Sequence, residues 1–140
     1  MEVTDADVAG TPARNVRVRR GEFVAVWRAA SDRDHHDAAH GGEGWYAAAV
    51  AMTCRWLATA PSRLANGLVD PTPAPATRRT AMAYEELIEA EWLAAERLEE
   101  TRPDLARSRP GWCEGVRATL RWAWRRQGPP PLKADVPVER

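Results

Sequence analysis

All three histidines of the chain fall in one run, Asp32-Arg33-Asp34-His35-His36-Asp37-Ala38-Ala39-His40. Side chains four positions apart share a helix face. His36 and His40 could therefore present both imidazoles to one metal ion, with Asp32, Asp37 or Glu43 as a third ligand. The glutamate of an H-E-x-x-H hydrolase site is missing, and Gly41-Gly42 directly after the run suits a solvated loop. A metal-binding protein or metal-dependent enzyme using the His35–His40 cluster is thus the third-ranked expectation, and no cofactor is nominated.

The other nucleophile candidates are weaker. Cys54 and Cys113 belong to no C-x-x-C pair. Cys54 lies in an apolar segment, where a thiol is expected as a small buried hydrophobe. Cys113 stands near a helix start, which favours a thiolate, but it turns toward the same arc as Leu120 and Trp124. Neither a G-x-S-x-G elbow nor a glycine-rich phosphate loop with its lysine occurs. The sequence leans away from an enzyme and nominates no catalytic residue.

Arginine and tryptophan offer binding chemistry instead. Seven Trp accompany a single Phe, and Lys133 is the one lysine among twenty Lys and Arg. Abundant Arg and Ala fit a GC-rich, bacterial coding bias, yet Arg still forks onto carboxylates and stacks on rings. On a wheel of about 100° per residue, Trp122 falls opposite Leu120, with Arg121, Arg125 and Arg126 around it. An exposed Trp bordered by Arg is the residue mix of an interface anchor. The leading expectation is accordingly a non-enzymatic protein–protein interaction or adaptor module, docking through this face onto a protein partner or a second copy.

A nucleic-acid-binding regulatory protein is the runner-up. The Arg14, Arg17, Arg19, Arg20 run and the last helix could meet phosphates, but twenty acidic residues balance the charge to zero, and nonspecific nucleic-acid affinity needs a positive field.

Two further positions break the apolar pattern. Arg55 is the lone charge in an otherwise apolar helix, and Glu91 lies inside an apolar stripe. An unpaired buried charge is costly, so Arg55 and Glu91 are expected to pair in the core.

Positioning these groups requires four helices. Phe23, Val26, Trp27 and Ala30 predict a first helix over 22–30, with a short strand near 15–20 competing. Trp45, Ala49, Met52 and Trp56 predict a central helix over 45–60, bounded by glycines and Pro61. A third helix over 77–101 carries Leu87, Ile88, Trp92, Ala95 and Leu98. A fourth over 112–126 carries Val116, Leu120 and Trp124. The segment 85–100 has seven Glu and one Arg, whereas 112–126 is net basic, so the last two helices should lie antiparallel.

The expected architecture is all-α: a small bundle of three to four helices with a flexible N-terminal arm over 1–13. A Pro-rich linker over 61–76 interrupts the 14–126 domain, and a Pro-rich tail spans 127–140. At this length one domain is expected. The acidic N-terminus does not resemble a signal peptide, and the central helix is too short to span a bilayer. Together with unpaired cysteines, these features predict a cytoplasmic protein without a membrane partner.

Overall fold

The structure, a computed structural model, describes residues 1–42 and 44–135. Among these the chain is mostly helical, with seven helices and one two-stranded antiparallel sheet.

The N-terminus differs most from expectation. Residues 1–13 are packed in place, and Asp5–Ala9 form helix α1. A capping box explains the helix. The Asp7 N–H donates to Thr4 Oγ1, and the Thr4 N–H donates to Asp7 Oδ2, each at 3.1 Å; reciprocal bonds of this kind satisfy two orphan donors. Val3 and Asp7 are both buried. No strand forms over 15–20; a 3₁₀ turn occupies Ala13–Asn15 instead. The buried Asn15 amide donates to the carbonyls of Leu57 and Ala83 at 2.9 and 3.1 Å.

Helix α2 runs over Arg20–Ala39, well beyond the expected 22–30. Its first half buries Phe23, Val26, Trp27 and Ala30. The second half is the polar His run, which contains no glycine or proline. Once nucleated, a helix propagates cheaply through such residues, and α2 stops only where Gly41 adopts φ +69°.

Helix α3 (Tyr46–Leu57) is the central element and packs against both α2 and helix α7 (Trp112–Ala123). Two glycines permit the close approach of α7. Gly111 takes φ +93° at the α7 N-cap, and a Cβ on Gly115 would lie 2.7 Å from both Ala49 Cβ and the Tyr46 carbonyl oxygen. Gly115→Ala should therefore destabilise the fold by about 1–3 kcal/mol through overpacking, although alanine is the better helix former by about 1 kcal/mol. Chemical denaturation checks this; a stabilised variant would mean the helices can separate at no cost.

The expected third helix is shorter and broken. Helix α4 covers Glu85–Glu96, α5 covers Leu98–Thr101, and α6 covers Pro103–Ser108. Residues 77–84 stay out of helix because their backbone is claimed by side chains elsewhere. Glu91 Oε1 accepts the N–H groups of Ala76 and Thr77 at 2.9 and 3.0 Å, and Oε2 accepts the Thr77 hydroxyl at 2.7 Å. The Trp56 indole donates to the Ala81 carbonyl at 2.9 Å. Tertiary partners thus replace the i→i−4 bonds a helix would have supplied.

The Pro-rich linker contains strands β1 (Ser62–Arg63) and β2 (Val69–Asp70), paired antiparallel. Thr72, Ala74, Pro75 and Ala76 within it are buried. The described part of the tail returns to the body: the Tyr46 hydroxyl donates to the Pro131 carbonyl at 2.9 Å.

Charge selects the pairing of α4 with α7. Glu96 accepts from Arg121 Nε at 2.6 Å, Glu89 sits 3.5 Å from Arg125, and Glu99 pairs with Arg117. Partner numbers fall along α7 as they rise from Glu89 and Glu96 of α4 to Glu99 of α5, which is the antiparallel arrangement.

Candidate functional site

The buried charges come first, because the chain departs there from the expected pairing. Arg55 and Glu91 are both buried, at 2% and 4% exposure, but they do not meet. Arg55 Nη1 lies 3.3 Å from Asp7 Oδ2 and donates to the Pro61 carbonyl at 2.9 Å; Nη2 donates to the Glu2 carbonyl at 3.0 Å. Glu91 is satisfied by Ala76 and Thr77 as described. The wheel located both buried charges. It could not supply their partners, because Asp7 and the 76–77 backbone come from segments without helical periodicity. Burial alone would raise the Asp7 carboxyl, but the Thr4 N–H, Arg63 and Arg55 outweigh it and hold the group below the ordinary aspartate range.

The Trp122 face is also corrected. Trp122 is 4% exposed and stacks on Phe23 of α2, with ring centroids 6.5 Å apart and planes inclined by 20°. Phe23 of α2 thus meets the side of α7 opposite Leu120. Arg121 and Arg125 are turned to Glu96 and Glu89, and the Arg125 guanidinium lies 4.4 Å from the Trp92 ring centroid. Arg126 is exposed, at φ +54°, without an ion pair among the described residues. No docking face assembles from these four residues.

The His36 and His40 rings do face one way, stacked at 4.1 Å between centroids. His40 Nδ1 lies 2.8 Å from the His36 carbonyl oxygen, and His36 Nδ1 lies 3.7 Å from Asp37. Among the described residues no group of three or more His, Cys, Asp or Glu is arranged to hold a metal. Glu43, the other candidate ligand, lies outside the described residues.

Both cysteines are buried and unpaired. Burial pushes the Cys54 thiol well up. At Cys113, burial, then Glu99 and Glu114, raises the thiol despite the nearby helix start.

The basic run serves packing in part. The Arg17 guanidinium lies 3.8 Å from the Trp124 ring centroid, and Arg20 donates to the Thr11 and Val8 carbonyls. Only Arg14 and Arg19 of that run keep no such contact among the described residues. No helix among the described residues is long and apolar enough to cross a membrane.

Most of the large exposed apolar side chains among the described residues lie on the segment from Pro61 to Tyr84, with Leu93 of α4, Trp45 and Met1 exposed elsewhere. Met82, Leu68 and Val69 are 72%, 62% and 56% exposed, and Leu64 is 42% exposed. Val69, Pro71, Thr80, Ala81 and Met82 line a groove of about 430 Å³ above Trp56. The same segment carries Arg78, whose guanidinium lies 5.8 Å from the Trp112 ring centroid. One signal in the sequence could have marked this region: Leu64, Leu68 and Val69 are large apolar residues in a linker, where no helix face claims them.

Comparison of the chain with family models, curated proteins and solved structures returns no match.

Proposed function

We propose that the protein is a non-enzymatic protein-interaction module that seats an extended apolar segment of a partner protein in the groove above Trp56. The four longest helices act as one small bundle, and the 61–84 segment is the face it presents. The observation that carries this reading is the exposure of Met82 and Val69 on the lining of a groove whose floor is the Trp56 indole, itself held by the Ala81 carbonyl. Large apolar side chains left contiguous in water mark interaction sites.

Size identifies the occupant. Met82 and Val69 are the large exposed side chains on the groove's lining, and they offer well under the ~800 Å² each partner contributes to a stable interface. A short peptide with two or three bulky apolar residues fits that area better than a second copy. Asp70 on the rim favours a cation beside those anchors. The setting for this activity is the cytoplasm.

A displayed peptide library panned on the full chain tests the proposal, with Met82→Glu as counter-selection. Met82 is so exposed that the variant should keep its circular dichroism spectrum and melting temperature. The selected peptides should carry paired aliphatic or aromatic residues and bind the variant at least about tenfold more weakly. Equal binding to both proteins would overturn the groove as the site. A wild-type dimer that Met82→Glu converts to monomer in light scattering would overturn the peptide as the occupant.

A further inference from the structure

Two arginines gather at the start of α7. Arg78 and Arg109 place their guanidinium carbons 5.8 and 5.3 Å from the Trp112 ring centroid, and Arg109 also lies 4.9 Å from the ring of Trp45. Arg102 is close enough for its charge to act on Arg78. Arg102 shares Asp104 at 3.1 Å, but among the described residues no carboxylate reaches Arg78 or Arg109. Arg55, Arg63, Arg117, Arg121 and Arg125 have carboxylate partners; Arg14, Arg19 and Arg126, like Arg78 and Arg109, have none among the described residues, but they do not share a ring with a second arginine. Like charges repel, so a cluster without a counter-ion needs a reason to persist.

Three neighbouring features point to an anion as that reason. Arg78 holds φ +65°, a conformation an L residue adopts at a cost, and its N–H donates to the Ala74 carbonyl at 2.9 Å. Such strain persists where the surroundings impose it, and it concentrates at ligand sites. Trp112 is 3% exposed, and its indole N–H, like that of Trp27, has no acceptor among the described residues; an orphaned buried donor calls for an explanation, of which a bound ion is one. Trp112 is also the first residue of α7, whose N-cap Gly111 offers no side-chain cap, leaving the positive end of the helix dipole beside the arginines. Glu114 is the acidic residue of that first turn, and it is exposed and pairs with no arginine among those described.

We propose that Arg78 and Arg109, both over Trp112, form an anion site for a phosphate group of the monoester class. Forked guanidiniums match the oxygens of a tetrahedral dianion, which a lone point charge does not. Desolvation by burial, then Arg109 and Arg102, lowers the Arg78 pKa, and an arriving dianion relieves the last two effects. Trp45, 38% exposed under Arg109, supplies a flat surface beside the phosphate. The site is separate from the groove above Trp56, and neither proposal depends on the other.

Calorimetric titration of the full chain with inorganic phosphate, against chloride at matched ionic strength, tests the site. One saturable site is expected, weakened at least about tenfold in Arg78→Met and in Arg109→Met and weakening further as salt is added. Absence of saturable binding, or affinity unchanged in both variants, would overturn the proposal. Should a variant fail to fold, the wild-type indole N–H spectrum decides: phosphate should move the Trp112 and Trp45 signals and leave Trp27 and Trp56 in place, and uniform or absent movement refutes the site. Adenosine monophosphate distinguishes the source. Tighter binding than phosphate identifies a nucleotide whose base lies on Trp45; equal binding identifies the phosphate alone as the recognised group.

Discussion

Asp7→Asn is expected to destabilise the fold by about 3–5 kcal/mol, the usual penalty for stranding one member of a buried ion pair. Arg55 is 2% exposed and Asp7 5%. Asparagine removes the negative charge facing the Arg55 guanidinium, which then keeps only neutral acceptors such as the Pro61 and Glu2 carbonyls. Its single amide oxygen cannot serve both Arg63, 3.1 Å from Asp7 Oδ1, and the Thr4 N–H of the α1 capping box, and its NH₂ adds a donor where an acceptor stood. Arg55→Met should cost a similar amount, and Asp7→Leu combined with Arg55→Met should cost less than the sum, because neither charge is then abandoned. The same cycle on Arg55 and Glu91 should be additive. Urea denaturation of the variants measures both.

The pH dependence follows from the direction of the Asp7 shift. A carboxyl held below its unfolded value contributes stability that is fully present above the ordinary aspartate range. That contribution is lost as pH falls through the depressed folded value. The Asp7→Asn variant should therefore lose less stability on acidification than wild type. A parallel acid limb in both proteins would refute the ionised pair.

Trp122→Ala is expected to cost about 3–5 kcal/mol, the range for deleting a buried aromatic and leaving its cavity. Its ring lies between α7 and Phe23 of α2, so the loss should loosen the packing of α2 in particular. Amide exchange along Phe23–Ala30 reads this directly, since protection there depends on that contact. Oligomeric state should not change. A loss below about 1 kcal/mol, the ordinary result at a surface site, would return Trp122 to the outside of the molecule.

The parts of this fold visible in the sequence are those encoded by helical period and charge. The 3.6-residue recurrence of Phe23, Val26, Trp27 and Ala30 located the buried half of α2. The alternation of an acidic and a basic helix located the α4–α7 pairing, because both signals are local or summed along one element. Three features were hidden for one physical reason: they depend on contacts between segments that carry no period. α1 is only five residues long, too short for a stripe, and its burial rests on Asp7 finding Arg55. The 77–84 stretch reads as helix by composition, yet Glu91, Asn15 and Trp56 hold its backbone in a non-helical path that turns at Arg78. Trp122 looked exposed because its side of α7, opposite Leu120, meets Phe23 of a helix whose own apolar stripe ends well before its C-terminus. The two arginines over Trp112 carry no sequence signal either, since Arg78 and Arg109 come from separate turns.

The tight seat of Gly115 against Tyr46 and Ala49 has a kinetic consequence. Helix α3 meets α2 early in the chain, but its other large contact, with α7, cannot form until residues 58–111 have been made and looped out. Closing that loop costs entropy before the contact returns any. Folding should accordingly be slower than in an up-and-down helical protein of the same length, whose contacts are mostly local. During synthesis the apolar side of α3 waits uncovered until α7 leaves the ribosome, which makes that interval the period of greatest exposure to aggregation.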